Sequence, residues 1–133
     1  MSEDFIRQTG DGEQGQWDPQ EASDMALATE VGKVLNEHYP DHPWVISVQG
    51  GSLVLRHLSI AGAVAMATGE AGFSSLLPRE KLGTPREVGK TAVRFGGELL
   101  EAFGLKRGAY RGEPPHVPVA LIAEVRARRR MLT

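Results

Sequence analysis

The sequence contains no cysteine and no apolar run long enough to span a bilayer. Without cysteine the chain cannot form a disulfide, use a thiol nucleophile or bind zinc through sulfur. It also has no excess of basic charge, because its formal net charge is -2 and its pI is about 6.1. A general positive field that gathers nucleic acid is therefore excluded, and any such binding needs a local patch. The first ten residues lack the basic start and apolar run of a signal peptide. We therefore expect a soluble protein, either intracellular or carried in an assembly.

A β-hairpin is the clearest structural pattern in the sequence. The segments WVISVQ and SLVLRHL flank Gly50 and Gly51, and a Gly-Gly pair readily adopts the positive φ angles of a primed two-residue turn. Such a turn fixes the register, and the predicted cross-strand pairs are Val48 with Leu53, Ile46 with Leu55, and Trp44 with His57. One face of this hairpin is almost wholly apolar, so helices must cover it.

Two helix starts are marked by capping sequences. Asp18-Pro19-Gln20-Glu21 combines an N-cap aspartate with proline at the first helical position, and the helix it opens should end before Pro40. Thr84-Pro85-Arg86-Glu87 predicts the start of a second helix. Gly104 is expected to end this helix, and Leu105 to pack back against it. The Gly96-Gly97 pair inside that helix favours either a close approach to the hairpin or local flexibility.

The remaining segments have weaker patterns. Residues 60–72 fit either a short helix or a third strand, and we favour the helix because alanine is frequent and β-branched residues are few. Residues 72–83 and 106–118 are predicted to be loops, and residues 118–131 an amphipathic helix. The predicted fold class is therefore α+β: a helix, a central β-hairpin, a helix, and a C-terminal amphipathic helix. Whether a third strand joins the hairpin is left open. The expected organisation is a polar arm over residues 1–17, a compact domain over 18–105, and a loop with a basic helix over 106–133.

The candidates for chemistry are few. His38 and His42 have the i, i+4 spacing of a metal pair, but Pro40 interrupts the helix that would align them, so turn and capping roles are favoured. His57 is interpreted as an edge residue of the hairpin face, because no motif places a nucleophile beside it. The sequence thus predicts no catalytic residue, no cofactor and no metal, and we expect that the protein is not an enzyme.

Two sets of residues are candidates for binding. Phe5, Ile6 and Trp17 are large apolar side chains in the polar arm and could anchor it on a neighbouring subunit. A cluster of arginines lies near the other end of the chain: Arg126, Arg128, Arg129 and Arg130. Arginines near a helix C-terminus interact favourably with the helix dipole, and these could also bind phosphates or acidic surfaces. A small nucleic-acid-binding module is therefore an alternative function. The order of helix, hairpin, third strand and helix would also suit a double-stranded RNA-binding domain, although the start of its last helix is mixed in charge.

Three motifs resemble a known group of proteins. The run Glu37-His38-Tyr39-Pro40, the run His42-Pro43-Trp44 with its hairpin, and the stretch AVRFGGELLE at 92–101 are similar to small proteins encoded among tailed-bacteriophage virion genes. The likeness covers about residues 24–110. It implies a structural, non-enzymatic component of the head, the head-tail junction or the tail, made in the host cytoplasm and built into the virion. The implied partners are other virion proteins, further copies of the chain and packaged DNA, with no membrane.

Overall fold

The computed structural model describes residues 19–78 and 85–132. Over these ranges the chain forms an α+β fold, as predicted, with four helices and a three-stranded antiparallel sheet of order β1-β2-β3. The elements are α1 (Pro19–His38), β1 (Trp44–Gln49), β2 (Ser52–His57), α2 (Leu58–Thr68), β3 (Ser75–Pro78), α3 (Pro85–Ala102) and α4 (Val119–Leu132). The predicted caps Asp18 and Thr84 lie outside the described residues. No helix in these ranges has both the length and the hydropathy that crossing a membrane requires.

The β1–β2 hairpin has the predicted turn and register. Gly50 and Gly51 have φ angles of 55° and 79°, the two positive values of a type I′ turn. The observed pairs include Val48 with Leu53, Ile46 with Leu55, and Trp44 with His57, so the predicted register is confirmed. Leucines 53 and 55 are almost completely buried, in a core that also includes residues of α1 and α3.

The third strand lies where a loop was predicted. Residues 60–68 belong to helix α2 (Leu58–Thr68), as favoured, and Gly69, whose φ is 79°, is its C-cap. The prediction of a loop over 72–83 was wrong in part, because Ser75–Pro78 forms β3 and pairs antiparallel with β2. This strand has only four residues, too few to show a period of two. Its place in the sheet comes from Leu77, which pairs with Leu53 and is 9% exposed.

The Gly96-Gly97 pair of α3 allows a close contact, mainly with the end of α1. A Cβ added at Gly96 would lie 3.0 Å from Cδ2 of Leu35, and one added at Gly97 would lie 2.7 Å from the hydroxyl of Tyr39. Trp44 is the hairpin residue in this contact, and its Cη2 would lie 3.5 Å from a Cβ added at Gly96. The predicted close approach therefore exists, but its tightest contacts are made by α1 and by the residue that follows it.

Helix α3 ends in a Schellman motif. Gly104 has a φ of 70°, its N–H donates to the carbonyl of Glu101 at 3.1 Å, and the N–H of Leu105 donates to the carbonyl of Leu100 at 2.8 Å. Leu105 is buried, so both the predicted stop and the predicted packing are confirmed. The following loop returns to the α1–β1 turn, where the N–H of Tyr110 donates to the carbonyl of Pro40 at 2.9 Å.

Candidate functional site

Two histidines distant in sequence meet inside the domain. His42 lies in the α1–β1 turn and His57 ends β2, and Nδ1 of His42 is 3.0 Å from Nε2 of His57. Their exposed fractions are 5% and 2%. His57 is the last residue of β2 and pairs with Trp44, as predicted for an edge residue of the hairpin face, but it is buried because α2 begins immediately after it and Tyr110 of the loop after α3 packs against its ring.

Hydrogen-bond partners assign the tautomers of this pair. The N–H of Ile60 donates to Nδ1 of His57 at 3.3 Å, so the proton of a neutral His57 is on Nε2. That N–H donates to Nδ1 of His42. The remaining nitrogen of His42, Nε2, then donates to the carbonyl oxygens of Lys106 and Gly108, each at 3.0 Å. All four ring nitrogens are therefore satisfied when both rings are neutral.

Aromatic rings surround the histidine pair. The centroid of Trp44 is 5.0 Å from that of His57, and the centroid of Tyr110 is 4.9 Å from that of His42 and 5.6 Å from that of His57. The cluster joins the α1–β1 turn, the β2–α2 junction and the loop after α3. His57 is also the N-cap of α2.

The cluster is suited to holding the fold together. Burial and, to a smaller extent, the neighbouring His42 lower the pKa of His57 to about 4. His57 is therefore neutral at pH 7, and its lone pair already accepts a hydrogen bond. His38, the other half of the considered metal pair, is exposed at the end of α1. In the described part of the chain, no group of three or more His, Asp or Glu side chains could hold a metal ion.

The predicted arginine cluster lies on α4, and two of its members bind the end of α2. Arg126 donates to the carbonyl of Ala67 at 2.9 Å, and Arg129 donates to the carbonyl of Thr68 at 3.3 Å. These guanidinium groups satisfy carbonyls that a helix C-terminus leaves without partners. Arg128 pairs with Glu124 at 3.0 Å and its side chain is 71% exposed. Arg130 is also exposed.

The predicted anchors of the arm, Phe5, Ile6 and Trp17, lie outside the described residues. The binding roles of the arm and of the arginine cluster therefore stay predictions.

One open groove follows β1, and we call it the β1 groove. It has a volume of about 370 Å³ and is lined by residues of α1 and β1: Asp24, Met25, Ala28, Thr29, Gly32, Trp44, Ile46, Ser47 and Val48. Ser47 belongs to one face of the sheet, whereas Ile46 and Val48 belong to the other. Lining residues from both faces place this groove along the strand's edge.

A second open groove lies between α1 and α3, and we call it the α1/α3 groove. Its volume is about 450 Å³ and it is lined by Val34, His38, Tyr39, Gly89, Lys90, Val93, Arg94 and Arg107. Its apolar residues form the floor, and its basic residues project from both helices and the following loop. No sequence pattern indicated this groove, because its residues come from three separate segments.

The chain matches no protein-family model, no curated protein and no solved structure. The resemblance to phage virion proteins therefore rests on the sequence motifs alone.

Proposed function

We propose that this chain is a structural component of a tailed-phage particle, at the head, the head-tail junction or the tail, which binds neighbouring virion subunits. The observation that carries the proposal is the edge strand β1. An extended segment of a neighbouring subunit would add to this edge and place apolar side chains in the β1 groove.

Main-chain groups of β1 point outward at its edge. The N–H of Leu58 donates to the carbonyl of Pro43 at 3.0 Å, and this bond fixes which residues of β1 hydrogen-bond with β2. Because bonded and non-bonded pairs alternate, Val45 and Ser47 bond with β2. Ile46 and Val48 direct their N–H and C=O groups away from β2. No other described strand pairs with this side of β1.

Strand β1 lacks the features that normally block such an edge. Natural edge strands carry charged side chains, proline or a bulge, which prevent uncontrolled strand addition. The six residues WVISVQ include no charge and no proline, although 24% of the chain is charged. Val45 is 46% exposed and Trp44, Ile46 and Val48 are half-buried, so an added strand would bury further apolar surface. Binding an extended partner segment along this edge is therefore the function that the geometry supports best.

The arm and the C-terminal helix have secondary roles in this proposal. Phe5, Ile6 and Trp17 would anchor the arm, and the exposed Arg128 would contact acidic groups of a neighbour. No catalytic step is assigned to the histidine pair, because its nitrogens are already used within the fold.

A matched pair of lysine substitutions tests the proposal. Ser47→Lys puts a charge on the edge strand, whereas Ser52→Lys puts the same charge on the same sheet face of the central strand β2. Both serines are half-buried. We expect Ser47→Lys to reduce incorporation into particles at least about tenfold, because a charged edge repels strand addition. Ser52→Lys should incorporate like the natural protein. Equal incorporation of the two folded variants would contradict the proposal.

The nucleic-acid alternative predicts a different result. Affinity for DNA or RNA would fall steeply with salt and would weaken in Arg128→Ala and Arg129→Ala. The presence of α2 between β2 and β3 departs from the helix, three strands and helix of a double-stranded RNA-binding domain. Salt-sensitive binding together with an unaffected Ser47→Lys variant would place this alternative first.

A further inference from the structure

We infer that the α1/α3 groove is the intramolecular docking site for the N-terminal segment Glu3-Asp4-Phe5-Ile6 of this chain. The inference concerns the isolated subunit and stands apart from the proposed role in a particle. It would give the arm a defined place before any neighbour binds it.

The floor of the α1/α3 groove is apolar. Gly89 of α3 has no side chain, and a Cβ there would lie 3.8 Å from a methyl group of Val34 on α1. Val93 and Tyr39, which also line the groove, pack against the hydrophobic core. The absent side chain at Gly89 therefore leaves space over an apolar surface, where a large apolar side chain would be sheltered from water.

The rim of the groove is basic. Lys90 and Arg94 lie one turn apart on α3 and are exposed, and among the described residues neither forms an ion pair. Arg107 pairs with Glu101 at 2.9 Å, and its side chain is 53% exposed. His38 closes the α1 side. The groove thus combines an apolar floor with at least two available cations, which suits an acidic and apolar segment.

The N-terminal segment has this combination. Residues 1–18 include five acidic side chains and one basic side chain, Arg7. Glu3 and Asp4 directly precede Phe5 and Ile6, so carboxylates and large apolar groups are adjacent. The β1 groove is a poorer match for this segment, since its lining includes Asp24 and no basic residue.

The length of the arm suits docking within one chain. Along α1, the groove residues Val34 and His38 lie roughly 22 to 28 Å from Pro19, at a rise of about 1.5 Å per residue. A Gly-rich chain the length of residues 7–18 has a root-mean-square span of roughly 17 to 21 Å and an extended limit of about 40 Å. Because the span of the tether is close to the separation, the effective concentration at the groove is near its maximum. A second copy has no such advantage in dilute solution.

Carbodiimide coupling of the full-length protein tests the inference, because this reagent joins a carboxylate directly to a lysine amine. We expect Glu3 or Asp4 to couple to Lys90 within one molecule. The yield should be at least about fivefold higher than the yield at Lys33, an exposed control lysine on α1 outside the groove. Equal yields at the two lysines would overturn the inference. Mixing isotopically light and heavy protein identifies the chain that supplies the carboxylate, and coupling only between copies would also overturn it.

Matched variants separate docking from chance contact. The double variant Phe5→Ala and Ile6→Ala should lower the yield at Lys90 about tenfold, since it removes the apolar part of the contact. The control Gln14→Ala and Gln16→Ala shortens two side chains of the tether and should leave the yield unchanged. Similar yields for the two double variants would contradict docking through Phe5 and Ile6.

A charge exchange provides an independent check. Lys90→Glu with Arg94→Glu should abolish coupling to the segment. Adding Glu3→Lys and Asp4→Lys should restore it, because the reagent also joins the exchanged carboxylate and amine. Circular dichroism and the thermal midpoint verify that each variant is folded. Folded exchange variants that fail to couple would contradict the charge complementarity on which the inference rests.

Discussion

Acid should lower the stability of this protein through His57. Folded His57 has a pKa of about 4, whereas an unfolded histidine has a pKa of 6.5. As the pH falls below 6.5, the unfolded chain therefore takes up a proton before folded His57 does. The contribution to stability is fully present above pH 6.5 and is lost progressively between pH 6.5 and about 4.

The magnitude follows from these two pKa values. At pH 5 an unfolded histidine is almost wholly protonated, whereas folded His57 is only about one-tenth protonated. The difference in proton binding lowers the free energy of unfolding by about 2 kcal/mol relative to pH 8. Burial of the ring, with the neighbouring His42 as a smaller cause, accounts for the sign. A proton added to Nδ1 of His57 would also face the N–H of Ile60, which already donates to that nitrogen.

Urea unfolding at pH 8, 6.5 and 5 measures this effect. In His57→Asn the amide oxygen can still accept the N–H of Ile60 as an N-cap, but the side chain does not titrate. Between pH 8 and pH 5, the free energy of unfolding should therefore fall by about 2 kcal/mol less in this variant than in the natural protein. His38→Asn, at an exposed position, should keep the full decrease.

Direct titration of the natural protein by NMR avoids any dependence on the folding of a variant. The ring signal of His57 should show no titration midpoint above about pH 5. A midpoint near 6.5 in the folded protein, or an unfolding free energy that does not fall between pH 8 and 5, would refute the assigned hydrogen-bond network.

Three further predictions concern stability and are measured by urea unfolding at pH 7. Gly97→Ala should destabilise the protein by about 1 to 2 kcal/mol through overpacking. The cost should be smaller in a Tyr39→Phe background, because the hydroxyl 2.7 Å from the new Cβ is then absent. An equal cost in both backgrounds would contradict this cause. Arg126→Ala should lower the free energy of unfolding by about 0.5 to 1.5 kcal/mol, because it removes a hydrogen bond to the end of α2. Arg128→Ala removes an exposed ion pair and should lower it by less than about 0.5 kcal/mol. The reverse order would argue against the helix-capping role of Arg126. Gly50→Asn should be nearly neutral because asparagine tolerates the positive φ of a type I′ turn, whereas Gly50→Val should cost more than about 1 kcal/mol; similar costs would contradict the turn assignment.

The sequence predicted local features well where one short motif determines them. The Gly50-Gly51 turn fixed the hairpin register, and Gly104 marked the end of α3, because positive φ angles depend on residue type. Helices α1 and α3 likewise begin at the predicted prolines.

Features that depend on distant segments were missed. Strand β3 has a short sequence without a period, and its pairing with β2 decides its structure. The buried state of His57 depends on His42 and on carbonyl groups of the loop after α3, which no local pattern brings together. The i, i+4 spacing pointed to His38 as the partner of His42, whereas the folded turn brings His57 to it instead.

The arginine cluster shows a similar limit. Its composition indicated a basic patch, but the fold uses Arg126 and Arg129 on the carbonyl end of α2. Sequence alone could not distinguish these two from Arg128, because the distinction depends on which side of α4 meets α2.

Crosslinking mass spectrometry on the protein isolated gently from its source, combined with its native mass, tests the proposed function most directly. We expect a defined complex in which residues beside β1 crosslink to phage capsid, portal or tail subunits. Ser47→Lys should remove these crosslinks and Ser52→Lys should retain them. Recovery of the protein as a free species bound to nucleic acid, with no crosslinks to a virion subunit, would contradict the account.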